Sequence, residues 1–366
     1  MDHARNPSRD SSHPVIALPC SGRYVTLDGM RGVAAIAVAL FHFDIFLAPH
    51  GYLAVDFFFV LSGFVLYRSY LPRWRADLGI ARFMLQRIAR LYPLFVLGIM
   101  LGAMLAVQQI VSGEAHARGA GRLAVAMLFN GVMLPSPLDL PLYPLNVPAW
   151  SLFFEVVANL ALIVFLFRLP RMALLAICVV SGICLIPIVL GNGSGNIGAL
   201  WGEYGIALLR TAFSFTLGLL IAMLPEGHAR PAGWIGVFCI VAIVVLLALP
   251  VPAGWTAAYD LLVILFFSPL LVFLGSRSEP VHFAAPVAAF TGEVSYALYA
   301  VHWAFIEPMR AAVRYVGLPA LPAAALFLTM MVAAAAAAVR WYDIPLRRRL
   351  TLLLSGRASG VRPARV

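Results

Sequence analysis

Two ionisable residues, Arg31 and His42, stand eleven positions apart with only glycine and apolar residues between them. As a helix rising 1.5 Å per residue, that interval is about 16 Å, so guanidinium and imidazole belong to different depths of one element. Imidazole is the usual general base near neutral pH, although a lone buried histidine is more often a core residue bonded to a carbonyl. Two carboxylates bear on His42. Asp56 lies one turn into the next apolar run, across a short turn, at comparable depth. It fits a group that orients the imidazole, and equally a helix-packing ion pair or a cap. Glu155 lies about 12 Å into a later apolar run and reaches the same layer. On this reading three helices aim titratable groups at one plane, with His42 as base.

A second constellation is basic. Arg82, Arg87 and Arg90 occur in Arg-Phe-Met-Leu-Gln-Arg-Ile-Ala-Arg-Leu-Tyr-Pro. Arg87 and Arg90 are three apart and share a helical face, and guanidinium forks match phosphate oxygens. They read either as a phosphate dock or as plain membrane-surface anchors. Arg210, inside an apolar run about one turn from its end, needs a partner such as Glu203 or a substrate carboxylate. His302 lies about 10 Å from the end of its run, where it joins the same cavity or bonds a carbonyl. Trp150, Tyr299 and Trp303 read as an aromatic belt or as sugar-stacking surfaces. Glu293 suits the positive end of its helix. No spacing of histidine, cysteine or acid marks a metal site, and Cys20, Cys178, Cys184 and Cys239 read as apolar filler.

The elements that position these groups are set by composition. The 366 residues are 62% hydrophobic and 11% charged, with mean hydropathy +0.92, which excludes a water-soluble fold. Apolar runs fall near 32–48, 52–70, 91–110, 147–167, 172–190, 205–224, 233–250, 257–274, 291–309 and 320–342. They predict an all-α, polytopic bundle of about ten transmembrane helices. The stretch 123–134 is too short to cross and reads as re-entrant or interfacial. The net charge of +10 comes from arginine alone, since the chain contains no lysine. With 123–134 not crossing, Arg68, Arg73, Arg75, Arg82, Arg87, Arg90, Arg168, Arg171, Arg230, Arg277 and the Arg347 to Arg349 run share one face with Arg357, Arg362 and Arg365. Arg118, Arg122, Arg310 and Arg314 fall on the other. The positive-inside rule then puts both termini in the cytoplasm. Arginines between apolar runs serve topology and do not indicate nucleic acid. Residues 1–23 read as a disordered cytoplasmic tail without a signal peptide, 24–350 as the membrane domain and 351–366 as a basic cytoplasmic tail. No inverted repeat of the kind found in many transporters is visible.

Several motifs together resemble one family. Leu27-Asp28-Gly29-Met30-Arg31-Gly32-Val33-Ala34-Ala35 with Phe41-His42, and Gly51-Tyr52-Leu53-Ala54-Val55-Asp56-Phe57-Phe58-Phe59-Val60-Leu61-Ser62-Gly63-Phe64, are similar to the opening of the acyltransferase-3 family. Arg87, Arg90 and Pro93, then Pro148-Ala149-Trp150-Ser151-Leu152-Phe153-Phe154-Glu155, then Ser295-Tyr296-Ala297-Leu298-Tyr299 with His302-Trp303, continue the resemblance in order. Two departures stand out. Only Glu155 follows the Trp-Ser element, where the family often has two adjacent acids. Asp343-Ile344-Pro345 replaces an acidic-Arg-Pro element, which leaves Asp343 a structural reading.

The resemblance implies an O-acyltransferase of the bacterial inner membrane. It would move an acyl group, expected to be acetyl, from acyl-CoA to a hydroxyl of a cell-surface or exported glycan or glycoside. No bound cofactor is implied, because acyl-CoA is the donor substrate. The implied site is catalytic His42, Asp56 and Glu155 with substrate-binding Arg31, Ser62, Arg87, Arg90, Trp150 and His302. Membrane lipid is the solvent, and a homo-oligomer is compatible. A secondary transporter of a small polar solute is the alternative. No esterase-like domain follows 350, so transfer would be completed in the membrane part or by a partner.

Overall fold

The computed structural model describes residues 24–75, 79–113, 118–225, 233–281 and 283–356. The expected tail at 1–23, Cys20, and Arg230, Arg357, Arg362 and Arg365 lie outside them. The helices are α1 (Val25–Phe43), α2 (Ala54–Arg75), α3 (Ile80–Val111), α4 (Ala120–Gly131), α5 (Trp150–Val164), α6 (Arg171–Asn192) and α7 (Tyr204–Ala222). They continue with α8 (Gly233–Ala248), α9 (Thr256–Leu262), α10 (Ser268–Gly275), α11 (Ala285–Val301), α12 (Trp303–Val316), α13 (Ala320–Ala337) and α14 (Ile344–Gly356). π-helical turns at Val263–Phe267 and Ala338–Asp343 join α9 to α10 and α13 to α14. The described residues contain no β-strand, only an isolated bridge between Pro141 and Leu200.

Among the described residues, eight helical segments are long and apolar enough to cross a membrane, and α8, with 16 residues, is a shorter apolar helix. Large apolar side chains such as Met104, Leu128, Val180 and Phe238 are exposed on the outside of the bundle. That arrangement suits lipid as solvent, since in water it would form an aggregating surface. At 12 residues, α4 rises about 18 Å, well short of the ~30 Å hydrocarbon core.

Two parallel helix pairs organise the interior. Along α1 and α11, Gly29 abuts Ala288, Arg31 reaches Gly292, and His42 meets His302. Along α2 and α7, Asp56 pairs with Arg210 near one end and Arg68 bonds the Leu224 carbonyl at the other. Glycine permits both contacts. A Cβ on Gly63 would overlap the Phe215 carbonyl, and one on Gly218 would overlap the Val60 carbonyl. Without a hydrophobic drive between helices in lipid, this close backbone approach supplies the packing. α5 runs antiparallel to α3: Gly102 backs onto Leu145, while Arg87 lies beside Glu155. The chain therefore leaves α3 and enters α5 at the same end of the bundle.

Helix limits differ from the hydropathy reading in instructive places. α1 begins at Val25 and α3 at Ile80, well before the apolar runs at 32 and 91. Their opening two to three turns carry Asp28 and Arg31, and Arg82, Arg87 and Arg90, which lower a hydropathy average without breaking backbone hydrogen bonding. Arg31 thus lies almost two turns inside α1. The run 291–309 is broken at His302, where α11 gives way to α12. α14 continues through residue 350 to Gly356.

Candidate functional site

The basic constellation becomes a cavity. A space of about 300 Å³ opens between α2, α3, α5, α11 and the α13–α14 junction. Arg31, Arg87, Arg90 and Arg347 line it together with Glu155, Glu293 and Asp343. Its volume is at the lower end of the range for small-ligand sites. α1 fixes Arg31 by lying very close to α11: a Cβ on Gly292 would sit 2.6 Å from the Asp28 Cβ. The Gly292 carbonyl is therefore within reach and accepts from Arg31 Nη2 at 2.7 Å, while Arg31 Nε donates to Ser295 Oγ at 3.0 Å. Asp28, one turn earlier, adds an ion pair at 2.9 Å.

Arg87 and Arg90 share a face of α3 but differ in environment. Arg87 is buried, donates to Glu155 Oε1 at 3.1 Å, and leaves its Nε without a partner. Ser62 Oγ donates to the same carboxylate oxygen at 3.1 Å. Arg90 is exposed, lines the cavity, and has no hydrogen-bond or ion-pair partner among the described residues. One guanidinium is thus held in place and the next is free for an anion. The structure brings Arg31, Ser62, Arg87, Arg90 and Glu155 together.

His42, Asp56 and Glu155 do not form the common cluster expected of them, because each meets a different partner. Asp56 does not reach His42. Both its oxygens are taken by Arg210, with Nε to Oδ1 at 3.2 Å and Nη2 on Oδ2, and both side chains are at most 1% exposed. Arg210 also donates to the Ile197 carbonyl. The depth expected for Asp56 is of little consequence, because its face of α2 turns toward α7. Glu155 belongs with the arginines: α5 turns it toward α2 and α3. Trp150 does not line the cavity. It packs over Gly198, whose φ of +134° suits only glycine, with the Arg210 guanidinium 5.8 Å from its ring.

His42 has a different partner. Its Nδ1 lies 3.1 Å from Nε2 of His302, and the two rings stack with centroids 5.2 Å apart. His302 is fully buried, and its Nδ1 faces the carbonyls of Tyr299 at 2.9 Å and Leu298 at 3.2 Å. A carbonyl only accepts, so Nδ1 of His302 carries the proton and Nε2 presents its lone pair. His42 must then donate from Nδ1, and in the neutral imidazole Nε2 of His42 is the unprotonated nitrogen. The break at His302 between two helices allows this register. Trp303 meets the His42 ring edge-on, and Arg310 holds the terminal carbonyls of α1 through its bonds to His42 O and Phe43 O.

Neither histidine lines the cavity. Tyr299 connects the two places. Its ring lines the cavity against Phe58, its hydroxyl bonds Ser151 at 2.7 Å, and its backbone carbonyl anchors His302. One aromatic ring therefore stands between the arginine-lined space and the histidine pair. Sequence reasoning missed this Tyr299 link, and it also missed Asp343 and Arg347 on the cavity wall. Asp343 carries the same signal that singled out Arg210, a charge at the edge of an apolar run.

The profile of a family described as an acyltransferase domain matches residues 24–340. The chain belongs to that acyltransferase family. Over 151 residues, 37% of its length, the acyltransferase is 39% identical to protein 2 of the picA locus of Rhizobium radiobacter, 79% of which is covered. Over 76 residues, 20% of its length, it is 38% identical to a peptidoglycan O-acetyltransferase of Listeria monocytogenes. That match spans only 12% of the Listeria protein. No solved structure matches the acyltransferase.

Proposed function

We propose that this acyltransferase moves an acetyl or closely related acyl group from acyl-CoA to a hydroxyl of a cell-surface or exported glycan. The observation that carries the reading is the His302–His42 chain, which leaves His42 Nε2 free to accept a proton. The acceptor hydroxyl gives its proton to Nε2 as its oxygen attacks the thioester carbonyl. The tetrahedral intermediate collapses, the carbon–sulfur bond breaks, and the departing thiolate takes the proton back from His42. The positive charge that forms on His42 strengthens its bond to His302, a charge-assisted interaction made only during transfer.

The positive-inside pattern supports about ten crossings of the inner membrane with both termini in the cytoplasm. The arginine cavity then faces the compartment that supplies acyl-CoA, with Arg90, Arg87 and Arg31 toward its phosphates. The acyl-bearing end would lie toward Tyr299. The relative named a peptidoglycan O-acetyltransferase supports acetyl as acyl group and a glycan as acceptor. Inverted membrane vesicles given radiolabelled acetyl-CoA test the reading by counting label in the glycan fraction. His42→Ala is expected to lower transfer by ~10² to 10⁴-fold, the usual worth of a general base. A folded variant with near-normal transfer would remove His42 from this role.

A further inference from the structure

The fourth arginine of the cavity comes from the far end of the chain. Arg347 sits in the first turn of α14 and bonds Asp343 Oδ2 at 2.9 Å, one turn back. Asp343 closes a π-helical turn, Ala338–Asp343, between α13 and α14. Such turns are uncommon and concentrate at functional sites. Asp343 and Arg347, on either side of this turn's end, both line the cavity. The Asp343 side chain is 4% exposed and Arg347 37% exposed. Arg347 is thus the accessible member of an i,i+4 pair whose carboxylate is buried in the cavity wall. Asp343 Oδ1 is buried without any partner, so the pair leaves half of its carboxylate unsatisfied. A bidentate salt bridge built for stability would use both oxygens.

We propose that Arg347 is an exchangeable anion clasp: it rests on Asp343 in the empty cavity and transfers its guanidinium to a phosphate or pyrophosphate group when one enters beside Arg90. A dianionic phosphate is the stronger partner for a guanidinium fork. The exchange couples occupancy of the cavity to the position of α14. Asp343 then acts as the competitor that sets how much anion charge is required. The clasp rests on the acyl-CoA reading only for the identity of the natural anion.

The test is binding of coenzyme A, and separately of inorganic pyrophosphate, to the full-length protein in nanodiscs by calorimetry. Arg347→Ala should weaken both by about tenfold, the scale of one charge-assisted contact, and Arg347→Lys by less. Asp343→Asn removes the competitor and one negative charge, so it should tighten both by about threefold or more. A purely structural pair predicts the same sign for Arg347→Ala and Asp343→Asn, with parallel losses of Tm. Unchanged affinity in Arg347→Ala, or weaker binding in Asp343→Asn, overturns the clasp. Wild-type protein that binds pyrophosphate but not coenzyme A, with Arg347→Ala still weakening it, would end the acyl-CoA reading and keep the clasp. Binding of neither probe ends the clasp.

Discussion

Replacing His302 by leucine removes the acceptor for His42 Nδ1–H while filling the same buried volume with apolar atoms. In the resting enzyme the 3.1 Å bond joins two neutral rings. A neutral hydrogen bond is worth about 0.5–1.5 kcal/mol net, and one to a charged group about 1.5–3 kcal/mol. When His42 takes the proton, the bond passes from the first class to the second. The transition state therefore gains roughly 1–2 kcal/mol from His302 that the ground state lacks. At 1.36 kcal/mol per tenfold this is about 5- to 30-fold in kcat. Because the gain exists only during transfer, kcat should fall while KM for acetyl-CoA stays near wild type. His302→Gln, which can offer an amide oxygen to the same nitrogen, should recover most of the rate. The assay is initial-rate transfer of label from acetyl-CoA in inverted vesicles, with variants normalised to folded protein by gel filtration. A leucine variant within twofold of wild-type kcat, or one altered only in KM, would refute the tautomer reasoning.

Further outcomes follow from the same geometry. Arg90→Ala should raise KM for acetyl-CoA by about tenfold or more with kcat little changed, because a charge-assisted contact to a distant phosphate is uniform binding. Asp56→Asn leaves Arg210 buried without a counter-charge and should cost about 3–5 kcal/mol of stability. The double replacement Asp56→Leu with Arg210→Met should return much of that loss in a Tm measurement, and transfer per folded molecule should be near normal in it. Gly63→Ala forces a Cβ into the Phe215 carbonyl and should lower stability by about 1–3 kcal/mol. Gly191→Ala, where a Cβ meets nothing within 4 Å, should be neutral or slightly stabilising.

Composition alone determined that lipid is the solvent and that the chain is helical, because so many apolar side chains have no other home. Spacing alone put Arg87 and Arg90 on one face and separated Arg31 from His42 in depth, since helical rise and periodicity are local properties. Periodicity gives height along an axis and leaves open which neighbour a face will meet. Asp56 and Glu155 were expected beside His42 by height, yet α2 turns Asp56 to Arg210 and α5 turns Glu155 to Arg87. His302 became the partner of His42 only because α1 and α11 run parallel in glycine-mediated contact, so that residues 260 positions apart share a hydrogen bond. Arg347 joins the cavity through a π turn that no hydropathy average registers. Depth and polarity are written in the chain itself, whereas the direction each ionisable group faces is settled by packing between distant helices.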